Sequence, residues 1–249
     1  GAGELIAEGT TLTVDVDSDV SNFTIDSGTS TVTVNEDADG TDDDLTISSR
    51  FTITDGTLDH DTDIILNGNV GNDEFLFADT EQNSIVRTSG HIIFDGSNTG
   101  DVTVNLANPL TIPFLRVDGN GQTPGGESDF AAGSADLTIG EELDLQEEFD
   151  NSNAGIVIAN GATIRRSAFT GTGVLAQKPS FTSYNLIYEN TNNLNTGNEV
   201  DKAPGTINNI TINGGANVFF DDAQITGSVT VNGTLDVNNG TADEAGRDL

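Results

Sequence analysis

The sequence predicts an all-β chain that folds as a right-handed parallel β-solenoid. Short segments in which apolar residues alternate with Thr, Asp or Asn recur along the chain, and this alternation gives a strand one apolar and one solvated face. Gly, Asn or Asp follows almost every segment, as expected for turns. The segments are shorter than typical sandwich strands, and few turns have the two-residue form of a hairpin. Tandem β-sandwich domains are the alternative fold.

The predicted strands follow one another closely from the first residues to the last. In the first half they cover residues 12–16, 23–26, 32–35, 45–47, 51–54, 64–66, 74–77, 92–95, 102–106 and 110–117. In the second half they cover residues 137–139, 156–158, 174–176, 184–188, 210–213, 218–220, 229–232 and 235–237. Stacked coils of roughly 22 residues each fit this spacing.

Two segments interrupt the strand pattern. Residues 118–134 are polar and rich in glycine, which predicts a loop or an insertion. Residues 141–149 have the composition of a short helical turn. We expect both to lie within one continuous solenoid that spans residues 1–249.

The charge balance is strongly acidic, with 41 Asp and Glu against 8 Lys and Arg and a net charge of −33. Basic residues form no group larger than the Arg165-Arg166 pair, which argues against binding to nucleic acid or to an anionic membrane surface. No segment reaches the roughly 20 apolar residues that span a bilayer, so no membrane insertion is expected. We expect bound calcium or a high salt concentration to offset the repulsion between carboxylates.

The chain contains neither Cys nor Met. Disulfides and thiolate metal sites are therefore excluded. The absence of Met predicts that these residues are processed or excised from a longer precursor.

Residues 35–44, which read Asn-Glu-Asp-Ala-Asp-Gly-Thr-Asp-Asp-Asp, give the strongest local indication of a metal site. Asn35, Asp37, Asp39 and the following Gly match the first half of a calcium loop, in which alternate oxygen ligands converge. Asp43 occupies the ninth position, whereas Thr46 replaces the bidentate Glu of the twelfth. We predict a structural calcium site formed by Asn35, Asp37, Asp39 and Asp43; a solvated acidic turn is the alternative.

Two other acidic segments are candidate cation sites. Residues 68–75, Gly-Asn-Val-Gly-Asn-Asp-Glu-Phe, partly match one calcium nonapeptide of a β-roll, with Asn69 where a second Gly is usual. The motif occurs only once, so a turn that enters a strand is the favoured interpretation. Asp59, Asp61 and Asp63 alternate on one strand face, and this arrangement predicts weak cation binding or adaptation to salt.

Several repeated segments resemble those of a known group of proteins. Residues 184–188 (Tyr-Asn-Leu-Ile-Tyr), 196–199 (Thr-Gly-Asn-Glu), 207–213 (Ile-Asn-Asn-Ile-Thr-Ile-Asn) and 231–235 (Val-Asn-Gly-Thr-Leu) resemble repeat modules of large secreted β-helix proteins of bacterial surfaces, notably among Bacteroidetes. Residues 68–106, with Gly-Asn-Asp-Glu-Phe at 71–75 and Asp95-Gly96, are similar to coils of filamentous bacterial adhesins. The resemblance implies an extracellular structural or adhesive role and brings no catalytic residues with it.

The sequence therefore predicts a secreted rod, a fibre subunit or an adhesin stalk with no catalytic activity. No evident cap follows the last predicted strand, so we expect copies to associate into fibres through coil-to-coil pairing. The alternative function is a β-helix that binds or cleaves polysaccharide, and a surface polysaccharide is a further expected partner. Only two Tyr and no Trp are present to stack on sugars. The candidate bases Arg165, Arg166 and Lys178 have no His nearby in sequence, and His60 and His91 lack metal-ligand spacing.

Overall fold

A computed structural model describes residues 3–8, 11–14, 18–36, 44–67, 75–79, 84–87, 89–95, 102–118, 128–167, 175–189, 194–200, 206–213, 217–219, 235–237 and 241–243. These residues form strands, turns and bends, and they contain no helix. It follows that no helix within these ranges is long and apolar enough to cross a membrane.

The strands are numbered in chain order. They are β1 (Glu4–Ala7), β2 (Thr11–Val14), β3 (Ser18–Glu36), β4 (Leu45–His60), β5 (Ile64–Asn67), β6 (Phe75–Asp79), β7 (Ser84–Arg87), β8 (Ile92–Asp95), β9 (Val102–Leu106), β10 (Leu110–Asp118) and β11 (Ser128–Phe130). They continue with β12 (Leu137–Leu145), β13 (Phe149–Asp150), β14 (Ile156–Ile158), β15 (Thr163–Arg166), β16 (Ser180–Phe181), β17 (Tyr184–Tyr188), β18 (Leu194–Asn195), β19 (Ile207–Ile212), β20 (Asn217–Phe219), β21 (Leu235–Val237) and β22 (Thr241–Asp243).

The strands pair in parallel and stack into the coils of a β-solenoid. Every pairing between described strands is parallel, for example β3 with β4 and β10 with β12. Parallel neighbours need a long crossover connection, which the rest of each coil provides. Sandwich domains of the predicted alternative would instead be built from antiparallel sheets. The predicted parallel β-solenoid is confirmed, and the tandem sandwich is wrong.

The registers divide the coil into three faces, each a column of paired strands. Face 1 passes through Val20, Ile47, Leu66, Phe94, Val117, Leu145, Arg166, Tyr188, Ile212 and Val237. Face 2 passes through Leu5, Phe23, Phe51, Phe77, Val104 and Phe130. Face 3 passes through Leu12, Val34, His60 and Arg87 and, further along, through Ile112, Ile139, Ile158 and Phe181.

The length of a coil varies along the chain. Successive partners on face 1 lie between 19 residues apart, as from Ile47 to Leu66, and 28 residues apart, as from Leu66 to Phe94. The predicted coil of roughly 22 residues lies within this range. Strands β3 and β4 each run through all three faces, and for this reason they join strands that the sequence predicted as separate.

Stacked apolar side chains fill the inside of the solenoid. Phe23, Phe51 and Phe77 of face 2 stack ring on ring, with centroid separations of 5.5 and 5.2 Å. All three are fully buried. Most inward positions of the neighbouring strands carry Val, Ile or Leu, so most coils place an apolar side chain above and below those of their neighbours. Because the apolar positions alternate with polar ones, a single strand supplies both this core and the solvated surface.

The predicted helical turn at 141–149 is wrong. Residues up to Leu145 belong to β12, and Phe149 begins β13. Leu143 and Leu145 alternate into the core, and β12 pairs with β10 on one side and β15 on the other. Hydrogen bonds to two neighbouring strands outweigh the local helix preference of Glu and Leu. In the predicted loop at 118–134, residues 119–127 lie outside the described residues, while β11 pairs with β9 and β13.

Gly90 lies against the backbone of Thr62 in the adjacent coil, and we expect Gly90→Ala to destabilise the fold by about 3 kcal/mol. Its φ of +71° is in the left-handed region, and a Cβ would lie 2.2 Å from the carbonyl oxygen of Thr62. Gly133 is a matched control, because its φ is +85° and its Cβ would meet nothing within 4 Å. Gly133→Ala should cost about 1 kcal/mol, the conformational penalty alone. Urea unfolding measures both; equal losses would contradict the close approach.

Candidate functional site

Most of the predicted calcium site falls outside the described residues. Asn35 lies in β3, in register with Thr13 of the adjacent coil. Asp37, Asp39 and Asp43 lie outside the described residues, as do residues 68–74 of the second motif. The calcium site therefore stays a prediction. Within the described ranges, no group of three or more His, Asp or Glu side chains is placed to hold a metal ion.

An open groove of about 450 Å³ runs across the outward side of face 1. Its floor carries the outward side chains of successive strands: Arg116 from β10, Glu142 and Asp144 from β12, and Arg165 from β15. Glu189 follows β17 at one end. Each of these alternates with an inward neighbour, so the strand periodicity that builds the core also places them on the outer surface. We call this cavity the face 1 groove.

Ion pairs between adjacent coils line the face 1 groove. Arg116 Nε lies 3.2 Å from Asp144 Oδ2. Arg165 bridges two carboxylates, with 2.7 Å from Nε to Glu142 Oε1 and 2.7 Å from Nη1 to Glu189 Oε2. Hydrogen bonds from its guanidinium to Glu142 and Glu189 outweigh burial and raise the pKa of Arg165 further above its usual value. Arg165 is therefore a permanent cation that ties three coils together.

Asp144 is the centre of this network. Its Oδ2 accepts hydrogen bonds from Arg116 and from Gln146 Nε2, and its Oδ1 accepts one of 2.5 Å from Ser167 Oγ. The Asp144 side chain is only 3% exposed although it points outward, because neighbouring side chains cover it. The donors that surround Asp144 fix its position, as in a preorganised binding surface.

An aromatic and imidazole pair forms the other end of the groove. The His91 ring meets the Phe114 ring edge-on at 4.2 Å. Asp63 Oδ1 accepts a hydrogen bond of 2.7 Å from the backbone N–H of His91. The same oxygen also lies 2.8 Å from Nδ1 of the His91 ring. Burial opposes ionisation of Asp63, but the bonds with His91 outweigh it and lower the pKa of the Asp63 carboxyl. Asp63 of the alternating acidic segment is therefore engaged by a histidine.

Arg87 supports Phe114 from the neighbouring face. Its guanidinium lies 4.9 Å from the centre of the Phe114 ring, within the range of a cation–π contact. Arg87 also donates to the carbonyl of Gly90 at 2.7 Å and pairs with Glu141 at 3.0 Å. These contacts hold the aromatic ring in place at the groove end.

The carboxylates that line the groove are held in ion pairs. Glu142, Asp144 and Glu189 each accept a hydrogen bond from a guanidinium. The second histidine, His60, is 1% exposed inside face 3, where burial lowers its pKa and Nδ1 lies 3.0 Å from the carbonyl oxygen of Thr62. His60 and His91 thus serve the core and the groove, respectively.

The two adjacent arginines lie on opposite sides of β15. Arg165 faces the groove, whereas Arg166 is 0% exposed inside the coil. Arg166 Nη1 lies 2.9 Å from Glu199 Oε1, and Glu199 is equally buried. The hydroxyl group of Tyr184 donates a hydrogen bond of 2.9 Å to the carbonyl oxygen of Glu199. Burial is the main cause that raises the pKa of the nearby Tyr188, and the negative charge of Glu199 raises it further. Sequence reasoning missed this buried ion pair, although an Arg at an inward position of the alternation was a usable indication of it.

Asp95 lies in register with Asp118 of the next coil, and we expect Asp95→Asn to stabilise the protein at neutral pH. Burial and the Asp118 charge raise the pKa of Asp95 to about 6. The folded state therefore binds this proton more tightly than the unfolded state, and folding loses stability as the pH rises through 6. After allowance for solvent exposure, we expect a gain of about 2–4 °C in Tm at pH 8.

The pH dependence separates this effect from a general reduction of negative charge. Near pH 3.5, Asp95 is protonated in the folded state and mostly so in the unfolded state, so the gain in Tm should almost disappear. Asp150→Asn is the control, because Asp150 accepts a hydrogen bond of 2.8 Å from the Ser152 N–H and no gain is expected. A gain of equal size for both variants would contradict the assignment to the Asp95 and Asp118 pair.

Comparison with known proteins finds no matching family model, no matching curated protein and no matching solved structure.

Proposed function

We propose that this chain is a secreted or cell-surface structural protein whose β-solenoid acts as a rod, in an adhesin stalk or a fibre, without catalysis. The observation that supports this proposal is the continuous register of face 1, which links ten strand positions from Val20 to Val237. Nine strand spacings correspond to a stack about 43 Å long. The resemblance to bacterial adhesin repeats leads to the same role.

The contacts within the stack suit mechanical strength. Backbone hydrogen bonds join each coil to the next, and apolar side chains stack in the same direction inside. Outside, Arg116 and Arg165 add ion pairs between the coils of β10, β12, β15 and β17. A force that separates two coils must break these three kinds of contact together, because each acts along the same axis.

Small-angle X-ray scattering and activity assays test the rod proposal. We expect an elongated particle with the cross-section of one coil, and no release of reducing or unsaturated ends from polysaccharides. A compact particle of similar dimensions in all directions would contradict the rod. Release of new chain ends would favour the alternative, a polysaccharide-cleaving β-helix.

Fibre formation is part of the proposal. The pairing within face 1 uses backbone groups, so a coil of a second copy can add to a parallel strand edge in the same way. Sedimentation at increasing protein concentration, with sodium chloride or calcium, is expected to show concentration-dependent association. A monomer under all these conditions would remove self-association from the proposal.

Calcium is the proposed structural ion of the Asn35, Asp37, Asp39 and Asp43 loop. We expect calcium to raise Tm more than sodium chloride at matched ionic strength, and a chelator to reverse the rise. The Asp37→Asn, Asp39→Asn double variant should lose the calcium-specific part and keep the salt-dependent part. Equal effects of calcium and sodium in the unchanged protein would show that cations only screen its charge.

A further inference from the structure

We propose that the face 1 groove binds a neutral oligosaccharide that lies along the solenoid axis. The groove belongs to the outer surface of the rod, and the proposal does not depend on whether the rod forms fibres. The charge, the shape and the side-chain chemistry of the groove support this ligand.

The charges of the groove nearly cancel, which favours a neutral ligand. Arg116 and Arg165 bring two positive charges against the three carboxylates of Glu142, Asp144 and Glu189. This balance differs from that of the chain, in which acidic residues outnumber basic ones 41 to 8. Each of these charges already has a partner. An anionic ligand would therefore compete with the carboxylates for the guanidiniums, and a cationic ligand would compete with the guanidiniums for the carboxylates.

The groove nevertheless retains polar surface for hydrogen bonds. The side chains of Arg116, Arg165 and Glu189 are 29%, 24% and 37% exposed. A guanidinium has five N–H donors and a carboxylate has about four acceptor sites, so groups in ion pairs still have capacity for further hydrogen bonds. Vicinal hydroxyl groups both donate and accept, and they match a surface on which donors and acceptors alternate. A hydroxyl-rich ligand fits this pattern.

The length of the groove corresponds to a short oligosaccharide. It extends from His91, just before β8, over β10, β12 and β15 to Glu189, just after β17. Five strands at a spacing of about 4.8 Å span about 19 Å, enough for about four pyranose units. Phe114 provides apolar surface near the His91 end, where the C–H groups of a sugar ring can pack.

The side chains are also held in place before a ligand arrives. Ser167, Gln146 and Arg116 fix Asp144, while Arg87 and His91 contact Phe114. Preorganised groups lose little conformational entropy on binding, which matters for weak ligands such as sugars. The side chains of the groove therefore have two roles. They link adjacent coils of the rod, and they form a preorganised surface for the ligand.

Calorimetric titration of the intact protein with neutral β- and α-linked glucan, mannan and xylan oligosaccharides of two to six units tests the proposal. We expect one series to bind in the micromolar to millimolar range, with affinity that rises up to about four units and changes little with salt. Phe114→Ala and Gln146→Ala should each weaken binding at least about tenfold. Gln177→Ala and Phe181→Ala, which alter the same residue types outside the groove, should not.

Three results would overturn the proposal. The first is the absence of binding across the panel at oligosaccharide concentrations of about 10 mM. The second is binding that the groove variants leave unchanged. The third is binding restricted to uronic acid oligomers with a steep dependence on salt, because that result would identify an anionic ligand. Circular dichroism of each variant confirms that it is folded, and the scattering experiment on the rod is independent of all these outcomes.

Discussion

Arg166→Met is expected to lower the free energy of unfolding by about 3–5 kcal/mol, because it leaves the buried Glu199 carboxylate without its cation. Both side chains are 0% exposed, and 2.9 Å separates Arg166 Nη1 from Glu199 Oε1. Arg166 also donates to the carbonyl of Asn195 at 3.1 Å, and Glu199 Oε2 accepts the N–H of Gly197 at 2.9 Å. The pair therefore links face 1 to residues of the following coil.

The neighbouring residue provides a matched control. Arg165 lies on the same strand and also forms ion pairs, but its side chain is 24% exposed on the outer surface. Arg165→Met should cost about 1 kcal/mol, since solvent screens the carboxylates that it leaves. Urea unfolding followed by circular dichroism measures both variants. An equal loss of unfolding free energy in Arg165→Met and Arg166→Met would contradict this explanation, which assigns the larger loss to an unpaired buried charge.

A double substitution tests the same charge argument from the other side. Arg166→Met with Glu199→Leu removes both charges and fills the space with apolar atoms, so we expect it to recover most of the stability that Arg166→Met loses. A double variant no more stable than the single one would show that packing or the hydrogen bond to Asn195 dominates. A buried ion pair is weak evidence for stability in itself, and the comparison measures what the charges contribute.

Strands that alternate strictly could be predicted from the sequence almost to the residue. The predicted ranges 92–95, 102–106 and 184–188 coincide with β8, β9 and β17. In β9 and β17, apolar or aromatic residues at every second position identify the inward face, because a parallel solenoid buries one side of each strand. The same dependence on alternation explains why β15 was not predicted. Arg166 occupies an inward position of this strand, where the pattern requires an apolar residue.

The groove could not be predicted, because coil length decides which residues meet. Arg116 contacts Asp144 across 28 residues, whereas Arg165 contacts Glu142 across 23. No local motif contains both members of either pair, and a change of one residue in a turn would move an outward side chain inward. The predicted calcium loop is the opposite case, since its residues are close together in sequence and spacing alone suggests it; the loop stays a prediction. Local motifs were visible in this chain, while contacts between coils required the register.

Phe51→Ala is expected to lower the free energy of unfolding by about 3–5 kcal/mol. Phe51 is fully buried between Phe23 and Phe77, with ring centroids 5.5 and 5.2 Å away. Truncation removes the apolar surface of one ring and leaves a cavity, and two stacking contacts disappear with it. The coils above and below cannot close the gap easily, because the backbone hydrogen bonds of face 2 fix their separation.

Two further variants separate stacking from burial in the same ladder. Phe51→Leu keeps most of the apolar volume and should cost about 1–2 kcal/mol, chiefly the lost ring contacts. Phe181→Ala is the control: Phe181 is only partly buried and stacks on the single ring of Tyr184 at 4.3 Å. We expect it to cost less than Phe51→Ala.

The effect of Phe51→Ala should also be local. Each coil of a solenoid contacts only its neighbours, so stability is nearly a sum over adjacent coils. Hydrogen exchange is expected to accelerate most in β3, β4 and β6, which carry Phe23, Phe51 and Phe77, and least in β17 and β19. Uniform acceleration along the chain would show that the coils unfold as one unit and would contradict nearest-neighbour stability. Faster hydrogen exchange confined to these three strands would show that the stacked phenylalanines stabilise the solenoid locally.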